Sequence, residues 1–415
     1  MSIFASADIL LPKAENKENW AVVACDQYSS APEYWDGVYE RVKDEPSTLH
    51  LILPEAWLNS QKAQTHQAKI RANMEAYLKN EVMRMYPDSF IYTERTLTNG
   101  SIRQGLVGAL DLEAYDYQAS TNLPVRATEA TILERIPPRA KIRSQAILEF
   151  PHILLLQNDN QDRLFSRIQT IKDQLELLYD FDLMENGGHI CGWLASGPAK
   201  AQIEAWIEEY ETAKQALNPA SPLVYAIGDG NHSLAAAKAV WETIRTDLDP
   251  QKKQTHPARY ALAELENLHH EAQQFEPIHR ILKNVDVEDL IASFGSPVSQ
   301  PTYEIRWMSA DKQGSIFLDA SISPLPLAVL QHFLDAYLDE HEGEIDYIHG
   351  EEDLAALAKQ PNSVGFFLPA ISKDSLFETI KNDGSLPRKT FSMGHAHEKR
   401  YYLEGRALVD LQEED

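Results

Sequence analysis

Apolar and polar positions recur along this chain with periods that change from segment to segment, and the succession predicts an α/β (or α+β) protein with mixed sheets and packed helices. Residues 20–24 form a short apolar run that ends in the polar turn Cys25-Asp26-Gln27-Tyr28. Leu49, Leu51 and Leu53 fall on alternate positions, which predicts a strand over 47–53. Residues 55–86 are rich in Ala, Gln, Lys, Glu and Met without Gly or Pro, the composition of a long helix with at most one break. Residues 91–96 and 102–110 then alternate like strands around Asn99-Gly100, a hairpin turn signal.

The second third reads as helix and strand in alternation. Leu164, Ile168, Ile171, Leu175 and Leu178 step by four and three, a helical stripe. Gly187-Gly188 is a turn before a short strand at 190–194, and 199–217 is a helix that Asn218-Pro219 ends. An apolar strand at 223–227, a glycine loop at 228–233 and an Ala-rich helix at 234–244 follow in few residues. The polar stretch 249–255 reads as an exposed loop, and apolar structure resumes at 258–268. Further on, 304–308 and 315–319 flank a second hairpin turn, residues 327–337 a helix, 345–348 and 363–368 strands, and 373–381 a helix. A boundary near 295 divides a main α/β domain at 1–295, carrying the candidate site, from a smaller α+β domain at 296–415.

Charge narrows the choice of partner. The 415 residues carry 63 acidic against 38 basic side chains, a formal charge of −25. That field disfavours nucleic acid and anionic membranes as partners. The strongest apolar run, 147–156, is too short to span a bilayer. Two cysteines, Cys25 and Cys191, make neither a metal cluster nor a disulfide framework, and the N-terminus has no signal-peptide pattern. The expectation is a cytoplasmic protein acting on a small-molecule substrate, without nucleic acid or membrane, with a homo-oligomer left open.

The sharpest chemical feature is Gly228-Asp229-Gly230-Asn231-His232-Ser233 at the strand-to-helix junction. Glycines at 228 and 230 permit positive φ and let an anion approach backbone N–H groups. The helix that follows adds unpaired N–H groups and the positive end of its dipole. Asp229 is a candidate metal ligand, His232 a candidate acid or base or a hydrogen-bond donor to phosphate, and Ser233 a cap or phosphate ligand. The alternative reading of the same residues is a capped helix start and nothing more. His279-Arg280 after Pro277 suits a phosphate or carboxylate. Asp26 directly follows a buried strand, and Glu129 lies in a basic island of Arg126, Arg135, Arg139, Lys141 and Arg143. Lys389, with Lys399 and Arg400, makes a second basic spot. His395 and His397 on one strand face would suit a metal. Cys191, beside His189, reads as a small buried thiol rather than a nucleophile.

At these motifs the chain resembles the bacterial and archaeal family known as domain of unknown function 1015. The likeness rests on Ala24-Cys25-Asp26-Gln27-Tyr28, Thr128-Glu129-Ala130-Thr131, Asp229-Gly230-Asn231-His232, Pro277-Ile278-His279-Arg280 and Leu386-Pro387-Arg388-Lys389-Thr390. The family's Asp-Gly-His-His-Arg loop is in turn similar to that of free-serine kinases with a ParB/sulfiredoxin-like fold. Asn231 and Ser233 depart from that loop in place of His and Arg. The lost Arg is a bidentate phosphate clamp, so Arg280 or Lys389 is expected to take its place. The resemblance implies a nucleotide-dependent small-molecule kinase, acting on serine or a related hydroxy amino acid. Gly228 to Ser233, His279, Arg280 and Lys389 would hold phosphate, Asp26 or Glu129 would serve as base, and Mg²⁺ with ATP or ADP would be the cofactors. The rivals are a nucleotide-binding regulatory switch without turnover and a metal-dependent hydrolase built on His395 and His397.

Overall fold

A computed structural model describes residues 2–411 except 14–16, 59, 152, 296–301 and 388. The chain folds into two compact units. Unit 1 comprises residues 1–127, 131–273 and 395–415, and unit 2 comprises 128–130 and 274–394. The chain therefore leaves unit 1 after Gln273 and returns at His395, where the sequence suggested one division near 295. Residues 296–301, which follow that expected division, lie outside the described residues, as does Arg388.

Unit 1 is built on a mixed sheet that has eleven strands among the described residues. Its main path runs Glu176–Asp182, His189–Ala195, Met83–Thr96, Ile102–Asp111, Tyr260–Asn267, Leu154–Gln157, Tyr225–Asp229, Val125–Ala127 and Tyr115–Asp116. The first five are antiparallel neighbours, as the Asn99-Gly100 hairpin requires, with Gly100 at φ 83°. Parallel pairing enters where Tyr260–Asn267 meets Leu154–Gln157 and where Tyr225–Asp229 meets Val125–Ala127. One core lies against the helices Arg163–Ile171, Gly197–Leu217 and Asn231–Ile244, with Phe165, Ile168, Ile207 and Trp241 buried in it. A second, around Trp20, Trp35 and Met74, holds the helices Pro32–Val42 and Gln61–Lys79.

The C-terminal segment is part of this architecture. Tyr401–Tyr402 pairs with Val22–Val23, and Arg406–Ala407 pairs with Leu148–Glu149. Arg95 donates to the carbonyls of His397, Glu398 and Lys399, and Arg103 to that of Glu398. Arg400 lies between Glu264, at 2.5 Å, and Glu404, at 2.7 Å. All of these charged side chains are buried, so each has its partner inside the protein.

Unit 2 has, among the described residues, a six-stranded antiparallel sheet with helices. Its order is Gln313–Asp319, Thr302–Met308, Ser363–Phe367, Phe275–Lys283 and Glu344–His349, with Phe391–Met393 on the first half of Phe275–Lys283. The helices Pro326–Glu340 and Val287–Ser293 bury Leu327, Leu330, Leu334 and Leu290 on it.

Four local expectations are corrected. Residues 47–53 contain a 3₁₀ turn at Thr48–Leu51, opened by the Ser47 hydroxyl accepting the Leu49 N–H, and not a strand. The helix expected over 55–86 is Gln61–Lys79, because Glu81 takes positive φ and Met83 already belongs to a strand. The stripe from Leu164 to Leu178 turns from helix to strand at Glu176. Residues 249–255 hold a short helix, Pro250–Thr255, capped by the Asp249 carboxylate.

Candidate functional site

The glycine loop closes tighter than its six residues suggest. The strand Tyr225–Asp229 runs through Gly228, where the register with Leu154–Gln157 shifts, and the helix Asn231–Ile244 begins two residues after the strand's last. Gly230 alone makes the turn, at φ 81° and ψ 20°, a left-handed conformation that a side chain disfavours. Asn231, His232 and Ser233 are thus the first helical turn. Leu234 N–H donates to the Gly230 carbonyl at 3.0 Å, and no side chain caps the helix. The helix is fixed from below: Ala235 and Ala236 pack on Ile136, Trp241 Nε1 donates to Glu113 at 2.7 Å, and Lys238 to the Leu112 carbonyl at 2.9 Å.

Three polar contacts define the loop's electrostatics. Asp229 Oδ1 accepts the Gly230 N–H at 2.8 Å, and Asp229 Oδ2 lies 3.1 Å from Lys399 Nζ. Lys399 is buried, so its ammonium is a fixed charge with little solvent around it. His232 Nε2 accepts the Ile132 N–H at 3.2 Å, which fixes the imidazole as the neutral tautomer with its proton on Nδ1. Asn231 Oδ1 and Thr131 Oγ1 are buried without a hydrogen-bond partner among the described residues. Exchanging Oδ1 and Nδ2 of that amide turns it into a donor, and the threonine hydroxyl also donates.

These residues fit an anion and do not fit a magnesium ion held by Asp229. Both carboxylate oxygens already have partners, and one of them is a cation 3.1 Å away.

The early turn belongs to the same unit. Asp26 accepts from Gln27 Nε2 at 2.9 Å, and Tyr28 takes positive φ, 52°. Cys25 N–H donates to the Tyr402 hydroxyl at 3.1 Å. Burial, reinforced by the Asp26 charge, pushes the Cys25 thiol up to about 12, so it stays protonated. Cys25, Tyr402, Arg139, Glu55, Ser233 and Ala236 line one cavity of about 180 Å³. Arg139 is paired with Glu55, Arg143 with Glu149 at 2.5 Å, and Arg126 donates to Ser221 Oγ at 2.6 Å. Three members of the expected basic island are therefore tied to internal partners.

Unit 2 gathers the remaining candidates. Thr128 O accepts the Leu386 N–H at 2.7 Å, and Glu129 Oε1 accepts the Thr390 N–H at 3.0 Å. Arg280 is fully buried. It donates to the Lys389 carbonyl at 3.0 Å, the Ile278 carbonyl at 2.7 Å and Gln331 Oε1 at 2.8 Å, and lies over the Tyr347 ring. Glu129, Arg280 and Lys389 thus converge on the loop 386–390, through the backbone of Lys389 and not its exposed ammonium. His279 points elsewhere: its Nδ1 accepts the Leu368 N–H at 3.1 Å, and burial lowers its pKa. Of the second basic spot, Lys389 belongs to unit 2, while Lys399 and Arg400 belong to unit 1, where they face Asp229 and Glu264.

His395 and His397 do not share a strand face. They flank the start of a 3₁₀ turn, Ala396–Glu398, with rings stacked 5.6 Å apart and His395 N–H donating to Glu398 at 2.8 Å. Among the described residues, the group of ligating atoms that lie within 4.8 Å of one another is Asp180, His189 and Cys191.

A family model, described as protein of unknown function (DUF1015), matches residues 5–405. The chain belongs to this family. No curated protein matches it. Among solved structures, a C-terminally truncated SbnI from Staphylococcus aureus is 8% identical, with 69% of this chain and 82% of that chain covered and a TM-score of 0.37. A free serine kinase in complex with AMP is 12% identical, with 74% and 92% covered and a TM-score of 0.36. A conserved hypothetical protein from Pyrococcus furiosus is 14% identical, with 60% and 87% covered and a TM-score of 0.28. Among the described residues, no helix of this DUF1015 protein is long and apolar enough to cross a membrane.

Proposed function

We propose that the protein is a nucleotide-dependent phosphotransferase that acts on a small hydroxyl compound, serine or a related hydroxy amino acid first among them. The observation that carries this reading is the Lys399 ammonium, 3.1 Å from Asp229, beside a helix N-terminus that Gly230 opens and no side chain caps. A buried cation and the positive end of the helix dipole act on an anion in the same sense. In this reading ATP or ADP binds with its terminal phosphates over Asn231, His232 and Ser233. His232 donates from Nδ1, and Lys399 supplies the charge that the missing loop arginine would have given.

The transfer needs positioning and charge stabilisation more than covalent help from the protein. The substrate hydroxyl oxygen bonds to the terminal phosphorus, the bond from that phosphorus to the nucleotide's bridging oxygen breaks, and Asp26 takes the hydroxyl proton. The charge on the departing nucleotide falls on Lys399 and the helix N-terminus. Within unit 2, Arg280 and Glu129 hold the backbone of Lys389 and Thr390.

Phosphorus NMR on a mixture of protein, Mg²⁺, ATP or ADP and a panel of hydroxy amino acids tests the reading. A phosphorylated product that Asp26→Asn abolishes, with nucleotide binding retained, is expected. Binding without product from any substrate would leave a nucleotide switch, and neither binding nor product would overturn the proposal.

A further inference from the structure

The hairpin at the edge of the large sheet carries a cluster that the phosphotransferase reading does not use. The edge strand Glu176–Asp182 pairs with His189–Ala195, with Asp182 opposite His189 and Asp180 opposite Cys191. Side chains two residues apart share a face of a strand, so all four project from one side of the hairpin. The connection is tight: Leu183 N–H donates to the Gly188 carbonyl at 2.7 Å, and Glu185, Asn186 and Gly188 all take positive φ. The next strand inward adds Glu94, the register partner of Cys191.

Hydrogen bonds hold these groups together. His189 Nε2 lies 2.7 Å from Asp180 Oδ1, and His189 Nδ1 lies 2.7 Å from Asp182 Oδ1. One donor atom from each of Asp180, His189 and Cys191 lies within 4.8 Å of the others. Asp182 completes a second feature of metal sites. A ligating histidine usually gives its other ring N–H to a carboxylate, which fixes the tautomer and aims the free nitrogen at the ion. Asp182 at Nδ1 aims Nε2 at the Asp180 and Cys191 side chains.

We propose that Asp180, His189 and Cys191 form a binding site for a borderline-soft divalent cation of the zinc class, with Asp182 as the positioning carboxylate and a fourth coordination place open to water. Sulfur, imidazole nitrogen and one carboxylate oxygen are the donor types that zinc takes, and calcium or magnesium would prefer oxygen throughout. On binding, the Cys191 thiol and His189 Nε2 each give up a proton to solvent, the hydrogen bond from Nε2 to Asp180 breaks, and the thiolate sulfur and the freed ring nitrogen bond to the ion. The ion would tie the exposed edge strand to its neighbour, since Asp180 comes from one and His189 and Cys191 from the other.

Cobalt(II) alone, titrated into the full-length protein, is the direct test, because a thiolate on cobalt gives a near-ultraviolet charge-transfer band. One equivalent is expected to bind and to produce that band. Cys191→Ser should remove the band, Cys25→Ser should leave it, and Asp182→Asn should weaken binding about 10- to 100-fold. Zinc should displace the cobalt and raise the melting temperature of the wild-type protein but not of Cys191→Ser. Cobalt binding without the band, or a band that survives Cys191→Ser, would overturn the proposal. None of these readouts involves nucleotide, so the result stands apart from the phosphotransferase reading.

Discussion

Gly230 shows what a single residue decides. Its φ of 81° turns the chain from strand to helix in one step. A side chain in left-handed helical space costs roughly 1–2 kcal/mol. Gly230→Ala is therefore expected to lower stability by about that amount in urea denaturation and to weaken nucleotide binding, whereas Ser233→Ala should change stability by less. Gly230 was legible because its chemistry is local, since only glycine takes that turn cheaply, while Gly228 lies in the strand. Lys399 was legible as a basic residue but not as the partner of Asp229. Nothing near either residue in sequence announces a contact made across that length of chain. The sequence expected Arg280 or the Lys389 side chain to carry the missing positive charge. In the fold, Arg280 is committed to carbonyls and Gln331.

Elements were readable where one period governed one element. The hairpin at Asn99-Gly100 and the helix Gly197–Leu217 fall where the pattern puts them, and the strand and helix around the glycine loop are present but close on Gly230 alone. The pattern misled where buried apolar residues continued through a change of structure. Leu49, Leu51 and Leu53 are all buried, but around a 3₁₀ turn, and Leu175 keeps the helical spacing while leading into a strand. Burial alone does not carry a period when a short element is held by its neighbours. Close packing in the hairpin gives a test at this scale. A Cβ on Gly192 would stand 2.0 Å from the Tyr179 ring. Tyr179 is also held by Glu404, so the ring cannot easily give way. Gly192→Ala is expected to cost about 1–3 kcal/mol in chemical denaturation. An unchanged midpoint would mean that the hairpin relaxes.

Across the molecule, the buried charges of unit 1 join the C-terminal segment to the sheet. Glu266 is 3.2 Å from Arg103, which favours its charged form, but burial, with the neighbouring Glu264 charge, pushes its carboxyl up to about 7. Glu264 goes the other way: burial opposes its charge, and Arg400 with Arg103 overcomes that and holds its pKa below the ordinary value. For Glu266 the folded protein binds the proton more tightly than the unfolded chain. Its contribution to stability is therefore full below the ordinary value of 4.5 and is lost as pH rises through about 7. Melting temperature measured against pH should fall over that window in the wild type and fall less in Glu266→Gln. Equal slopes would remove Glu266 as the source. Removing residues 395–415 would take away Arg400, Glu404 and Arg406 and leave Glu264 and Glu149 short of partners. Breaking a buried pair costs about 3–5 kcal/mol. A chain stopped at Gly394 is expected to be insoluble or unfolded by circular dichroism. The sequence marked this tail by its basic residues but not by its depth, since burial of an ion pair depends on partners that only the fold supplies.

The central claim is that a nucleotide's phosphates bind at the start of the helix Asn231–Ile244 beside Lys399. Calorimetric titration of ADP and ATP, with Mg²⁺, into wild type and Lys399→Met measures it most directly. Hydrogen bonds to charged groups contribute about 1.5–3 kcal/mol, so the variant should bind about 10- to 100-fold more weakly while its circular dichroism is unchanged. Equal affinity in a folded Lys399→Met variant, or no nucleotide binding by the wild type, would contradict it.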